Sequence, residues 1–180
     1  MLRLVLALAA YGAAADVCPG SDAWVHASCE NTVVFTSTSC ADVMTEMKAR
    51  IAGTASGAWT DPHNGGKYAV ASSSATALAG TRTTANGQYT DKFAFSFATV
   101  SGGCKLEACS ESQVTSVADF STNYCNLHNL YCGSQDGCTP AGSDYAYTET
   151  DVDTSIGASS DKDACLGKSF LRASSKVATA

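Results

Sequence analysis

The chain has 180 residues, 45% of them hydrophobic and 16% charged, and its 11 Lys and Arg against 17 Asp and Glu leave a formal charge of −6. That length suits one domain with a substantial core, while the acidic balance speaks against nucleic acid or an anionic membrane surface, both of which require a basic face. The nine cysteines stay below the roughly 8–10% that marks a scaffold held by disulfides alone, so bridges are expected to reinforce a core, not replace it.

In chain order, residues 1–15 read as a secretory signal. Arg3 supplies a short basic region, Leu4 to Ala10 an apolar run, and Ala13, Ala14 and Ala15 a small-residue cleavage site before Asp16. The apolar run is too short to span a bilayer. An extracellular location follows as an expectation, with no membrane insertion. Cys18, Cys29, Cys40, Cys104, Cys109, Cys125, Cys132, Cys138 and Cys165 all lie beyond that site, and each is a disulfide candidate in an oxidising compartment. An odd number allows at most four bridges within the chain and leaves one thiol free or shared in a disulfide-linked dimer. Spacing alone does not fix the connectivity.

A single domain is expected over residues 16–165, with a flexible tail at 166–180. Its first strong periodic signal is CADVMTEMKARIAG. Ser39 can cap a helix with Asp42 as its third residue, Val43, Met47 and Ile51 recur every four positions, and Gly53 is a plausible stop. Next comes GTASGAWTDPHNGGK, a loop by its Gly, Asp-Pro and Asn-Gly content. Trp59, Asp61, His63 and Asn64 in this loop are ligand-binding candidates, because an aromatic beside short polar side chains suits a sugar or a peptide.

Strand chemistry then takes over. Tyr68 and Val70 begin an extended stretch, Asn86-Gly87 signals a hairpin, and Phe93, Phe95 and Phe97 share one face of YTDKFAFSFATV. After a turn at Ser101-Gly102-Gly103, CKLEACSESQV resumes the alternation. The expected class is α+β: one N-terminal amphipathic helix packed on a curved antiparallel meander, stabilised by disulfides. Over residues 39–114 this element order resembles the cystatin-like and nuclear-transport-factor-like rolls. The resemblance implies a fold and no functional residue, since the Gln-x-Val-x-Gly and Pro-Trp loops of cystatin inhibitors have no counterpart here.

Residues 115–138 are dense in Cys, Asn and Tyr and read as a short helix or loops pinned by bridges, followed by an acidic strand or loop. Within them Cys125, His128, Cys132 and Cys138 have spacing acceptable for tetrahedral zinc, but secreted thiols ordinarily pair with one another first. The Cys-x-x-His run is also similar to the catalytic segment of secreted phospholipases A2. Asn129 stands where that family has its calcium-binding Asp, which leaves the likeness without a metal-holding carboxylate. His128 remains a binding candidate, and no metal or cofactor is expected.

The function expected from these readings is recognition of an unknown extracellular protein, peptide or glycan. Two alternatives stand beside it. One is a small secreted hydrolase using His63 or His128 as general base; the other is a matrix or wall component cross-linked through the odd cysteine.

Overall fold

A computed structural model describes residues 17–168; the signal segment at 1–15 and residues 169–180 of the expected tail lie outside the described residues. The first element is a strand, β1 (Ser28–Thr36), in which Cys29, Asn31, Val33 and Phe35 alternate inward. Helix α1 (Cys40–Ser56) follows, and the expected cap is present: Ser39 Oγ accepts from the Asp42 amide. Val43, Met47 and Ile51 are all buried. Gly53 does not end the helix. A Cβ there would lie 2.5 Å from Trp59 Cβ, so this glycine permits close approach, and the left-handed stop falls at Gly57 (φ 81°).

The expected meander follows as β2 (Lys67–Ser73), β3 (Ala77–Thr83), β4 (Thr90–Val100) and β5 (Gly103–Ser112). Phe93, Phe95 and Phe97 line its inner face, each 4% exposed or less, and every such ring adds roughly 1.5–3 kcal/mol of burial. The Asn86-Gly87 signal marks a real hairpin, with Gly87 left-handed (φ 72°) inside a connection that runs from Thr84 to Tyr89. Helix α2 (Thr122–Tyr131), a 3₁₀ turn (Ser134–Asp136), strand β6 (Tyr147–Thr154) and short helix α3 (Lys162–Cys165) complete the order.

All pairings are antiparallel, in the order β2-β3-β4-β5-β1-β6. The expectation of an N-terminal helix is therefore corrected: a strand precedes it and pairs with the last strand of the meander. The physical reason is local. Asn31 and Glu30 break the apolar reading of SCENTVVFT, yet Asn31 points inward because its Nδ2 donates to Tyr131 Oη at 2.7 Å.

Four disulfides frame the core. Cys40–Cys104 joins the start of α1 to β5, and Cys18–Cys109 fastens the N-terminal segment across the outer face of β5. Cys125–Cys165 joins α2 to α3, and Cys132–Cys138 closes a short loop after α2. Cys29 is the unpaired ninth cysteine and is buried. At the start of the expected tail, Leu166 packs against the core. No helix among the described residues is long and apolar enough to cross a membrane.

Candidate functional site

Helix α2 has the sequence TNYCNLHNLY, and every residue after Thr122 is buried although three are Asn and one is His. A buried amide needs partners, and three carboxylates supply them. Asn123, Asn126 and Asn129, spaced by three on one helix face, donate through Nδ2 to Asp119 (3.1 Å), Asp91 (2.8 Å) and Asp61 (2.9 Å) respectively. Asp61 also receives Arg82 Nε at 2.9 Å, and both of these side chains are fully buried. Such a pair is a specificity device more than a source of stability, and removing one member would strand the other.

Another side of α2 carries His128, whose ring is stacked with Tyr124 at a centroid distance of 5.1 Å. His128 Nδ1 lies 3.0 Å from Glu149 Oε1 on β6, and Glu149 also receives the hydroxyls of Tyr124 and Tyr131 and sits 3.2 Å from Lys162 Nζ. Burial opposes the charge on Glu149, but the bonds from His128 and Tyr131, with the nearby positive groups, bring it down to about 2. An ionised carboxylate only accepts, so the proton of the 3.0 Å bond sits on His128 Nδ1. His128 Nε2 is then left facing inward without a hydrogen-bond partner.

The asparagine face leads to an open cleft of about 370 Å³ between the β3–β4 connection, the end of β5 and the start of α2. Asp91, Asp119, Ser112 and Thr122 line it, with Tyr89 among its aromatic walls. Burial raises the Asp91 carboxyl above its ordinary value, against the opposing bonds from Asn126 and Ser112. Asp119 is held differently, accepting the backbone amides of Ser121 (3.1 Å) and Asn123 (3.0 Å) in place of a conventional helix cap.

Phe120 also lines the cleft and is 77% exposed. Phe120 (φ 50°) and Ser121 (φ 67°) are consecutive left-handed residues. Each such non-glycine costs on the order of 1–2 kcal/mol and persists only where surrounding structure demands it. Ser121 meets that condition, because its hydroxyl bonds Ser159 Oγ at 2.7 Å and accepts the Asp161 amide at 3.0 Å. The exposed ring beside it gains little from burial.

The residues singled out in the sequence divide sharply. Trp59 is 7% exposed, donates from Nε1 to Thr139 O at 2.8 Å and has Arg50 over its ring. Asp61 lies at the centre of the buried network. Buried His63 bonds Ala164 O through Nδ1 (2.9 Å) and meets Thr122 Oγ1 through Nε2 (3.3 Å), so it stands behind the wall of the cleft; burial lowers its pKa. Asn64 is exposed but directs Oδ1 to Arg82 Nη2 at 2.8 Å. His128 is fully buried. Four of these five residues thus belong to one connected interior, which Asn64 meets from the surface, and the cleft beside that interior was missed. The Asn-x-x-Asn-x-x-Asn spacing was the available signal. Comparison with known protein families, curated proteins and solved structures finds no match.

Proposed function

We propose that the protein is a secreted recognition module whose binding site is the cleft lined by Asp91, Asp119, Tyr89 and Phe120, and that its ligand is a neutral sugar unit of an extracellular glycan. The observation that carries this reading is Phe120, an exposed aromatic side chain held on left-handed backbone beside a cleft lined by two buried carboxylates. Carboxylates accept bonds from paired hydroxyls, and an exposed ring offers an apolar face to a sugar. The same carboxylates and the net negative charge disfavour anionic ligands.

A helix beside a curved antiparallel meander also keeps the cystatin-like or nuclear-transport-factor-like outline as our reading of the fold family, with β1 and β6 as additions. Secretion itself rests on the signal segment, supported by four bridges. Cross-linking through Cys29 is the less favoured role, because burial and neighbouring carboxylates push that thiol far above its ordinary range.

A second reading, hydrolysis, draws on one observation. Two carboxylates in different environments share the cleft, Asp91 raised by burial and Asp119 bonded to backbone amides, as acid and base roles in glycoside cleavage require. Neither His63 nor His128 reaches the cleft surface.

The test is a panel of immobilised neutral and charged glycans probed with the secreted protein and with Phe120→Gly. Glycine relieves strain of about 1–2 kcal/mol and loses about 0.5–1 kcal/mol of backbone entropy, so this variant is expected to match or slightly exceed the parent in stability. It is expected to lose glycan binding. Unchanged binding in the variant, or retention of anionic glycans alone, would contradict the assignment, and shortened glycan products would favour hydrolysis.

A further inference from the structure

We propose that the Cys132–Cys138 bridge conceals a zinc site, formed on its reduction by His128, Cys132, Cys138 and Asp136. The proposal is independent of the glycan cleft and departs from the expectation that the chain holds no metal. It also differs from the set whose spacing is acceptable for zinc, since Cys125 is committed to Cys165 and a carboxylate takes its place.

The placement of ligands is already close. A ring nitrogen of His128 and the Sγ atoms of Cys132 and Cys138 all lie within 4.8 Å of one another. His128 Nε2 is 4.0 Å from Asp136 Oδ2. His128 and Cys132 are four residues apart at the end of α2, on one face, and Asp136 belongs to the loop that the bridge closes. Tetrahedral zinc requires sulfurs about 3.7 Å apart, given Zn–S bonds of about 2.3 Å. Starting from a bonded S–S distance of about 2 Å, the loop need only part the two sulfurs by a little under 2 Å, and Gly133 and Gly137 flank its 3₁₀ turn.

Three further features distinguish this cluster from an ordinary buried bridge. The first is His128 itself. Metal-bound histidines usually donate their other ring N–H to a carboxylate, and here Nδ1 is held 3.0 Å from Glu149 while the fully buried Nε2 has no hydrogen-bond partner. The second is charge. Two thiolates and a carboxylate around a divalent ion leave one net negative charge, and two cations, each also paired with a glutamate, lie beside the ligands: Arg50 Nη1 at 3.7 Å from Cys132 Sγ and Lys162 Nζ at 3.3 Å from Asp136 Oδ2. The third is access, since a cleft of about 170 Å³ is lined by Cys132, Cys138, Trp59 and Gly137. The Cys18, Glu30 and Cys109 cluster has no such histidine.

The chemistry balances with a dithiol as reductant. A thiolate of the dithiol attacks one sulfur of the bridge, the Cys132–Cys138 bond accepts two electrons and breaks, and the dithiol closes into its own disulfide. Its two protons pass to the cysteine sulfurs and are released to solvent when the thiolates bind the metal. Two thiolates, one imidazole and one carboxylate in a buried tetrahedral setting suit zinc over calcium or magnesium, which take oxygen ligands.

The experiment reduces the folded protein with graded dithiol, identifies the opened bridges by alkylation and peptide mass, and titrates Co²⁺ and then Zn²⁺ without oxygen. The expected result is opening of Cys132–Cys138 while the near-ultraviolet circular dichroism persists, followed by one Co²⁺ per chain with a thiolate charge-transfer band that Zn²⁺ displaces. Glu149→Gln is expected to weaken metal affinity about 10–100-fold, and Asp136→Asn to keep the thiolate band while altering the cobalt ligand-field spectrum. A Cys132→Ser, Cys138→Ser double variant should bind none; if it does not fold, the two carboxylate variants carry the comparison. The proposal is overturned if the opened bridge gives no charge-transfer band, if the double variant binds equally, or if the bridge opens only after the fold is lost.

Discussion

Among the described carboxylates, Glu149 is held furthest below its ordinary pKa. Its carboxyl sits at about 2, against an ordinary 4.5, so its contribution is fully present above 4.5 and is lost as pH falls toward 2. That amounts to about 3 kcal/mol. His63 acts in the same direction from a higher pH: burial lowers it below 6.5, so the unfolded chain takes up the proton first as pH drops. Asp91 opposes both, because burial raises it and its protonation favours the folded state. Urea midpoints should therefore fall below pH 6.5 and most steeply between 4.5 and 2, and Glu149→Gln should flatten the lower limb. Parallel curves for parent and variant would show that Glu149 is not the group responsible. None of this was legible from Glu149 in sequence, where it belonged to an acidic stretch that reads as solvated. A residue becomes a charge centre through neighbours brought from elsewhere, here His128, Tyr124 and Tyr131.

Among the elements, those with a clean period were readable and those with buried polar residues were not. The Val43, Met47, Ile51 stripe and the Phe93, Phe95, Phe97 alternation placed α1 and β4, because each buries what its period says it buries. Strand β1 and helix α2 bury Asn31, Asn123, Asn126 and Asn129, and an asparagine does not announce in sequence whether a distant Asp or Tyr will meet it. Gly53 shows how packing can overrule local preference. Gly53→Ala would gain about 1 kcal/mol from helix propensity, but the added Cβ would meet Trp59 Cβ at 2.5 Å, and overpacking costs typically 1–3 kcal/mol. A net loss in thermal stability is expected. A gain would mean that the turn carrying Trp59 yields easily.

The whole molecule is organised by four bridges of very different span. Cys18–Cys109 closes a separation of 91 residues and Cys132–Cys138 one of 6. By chain entropy the first contributes about 4–5 kcal/mol and the last about 2. Paired Cys→Ser variants, compared by denaturant midpoint, should follow that order; a larger loss from opening the short loop would assign it a role in packing beyond chain entropy. A cleft also lies beside the short bridge, lined by Cys132 and Cys138. Cysteine number allowed at most four bridges and left one thiol over. The connectivity, and Cys29 as the buried remainder, required the fold.

The same distinction between interior and surface governs the proposed binding site. The loop favoured by its aromatic and polar residues turned inward, and the cleft formed where the β3–β4 connection, the end of β5 and the left-handed entry to α2 converge. The most direct measurement of the site is an amide chemical-shift map of the isotopically labelled protein during titration with neutral oligosaccharides. Shifts that saturate and cluster at residues 84–91 and 112–122 are expected. Shifts centred instead on the Asn64 turn, or no saturable shifts with any neutral sugar, would contradict glycan recognition at this cleft.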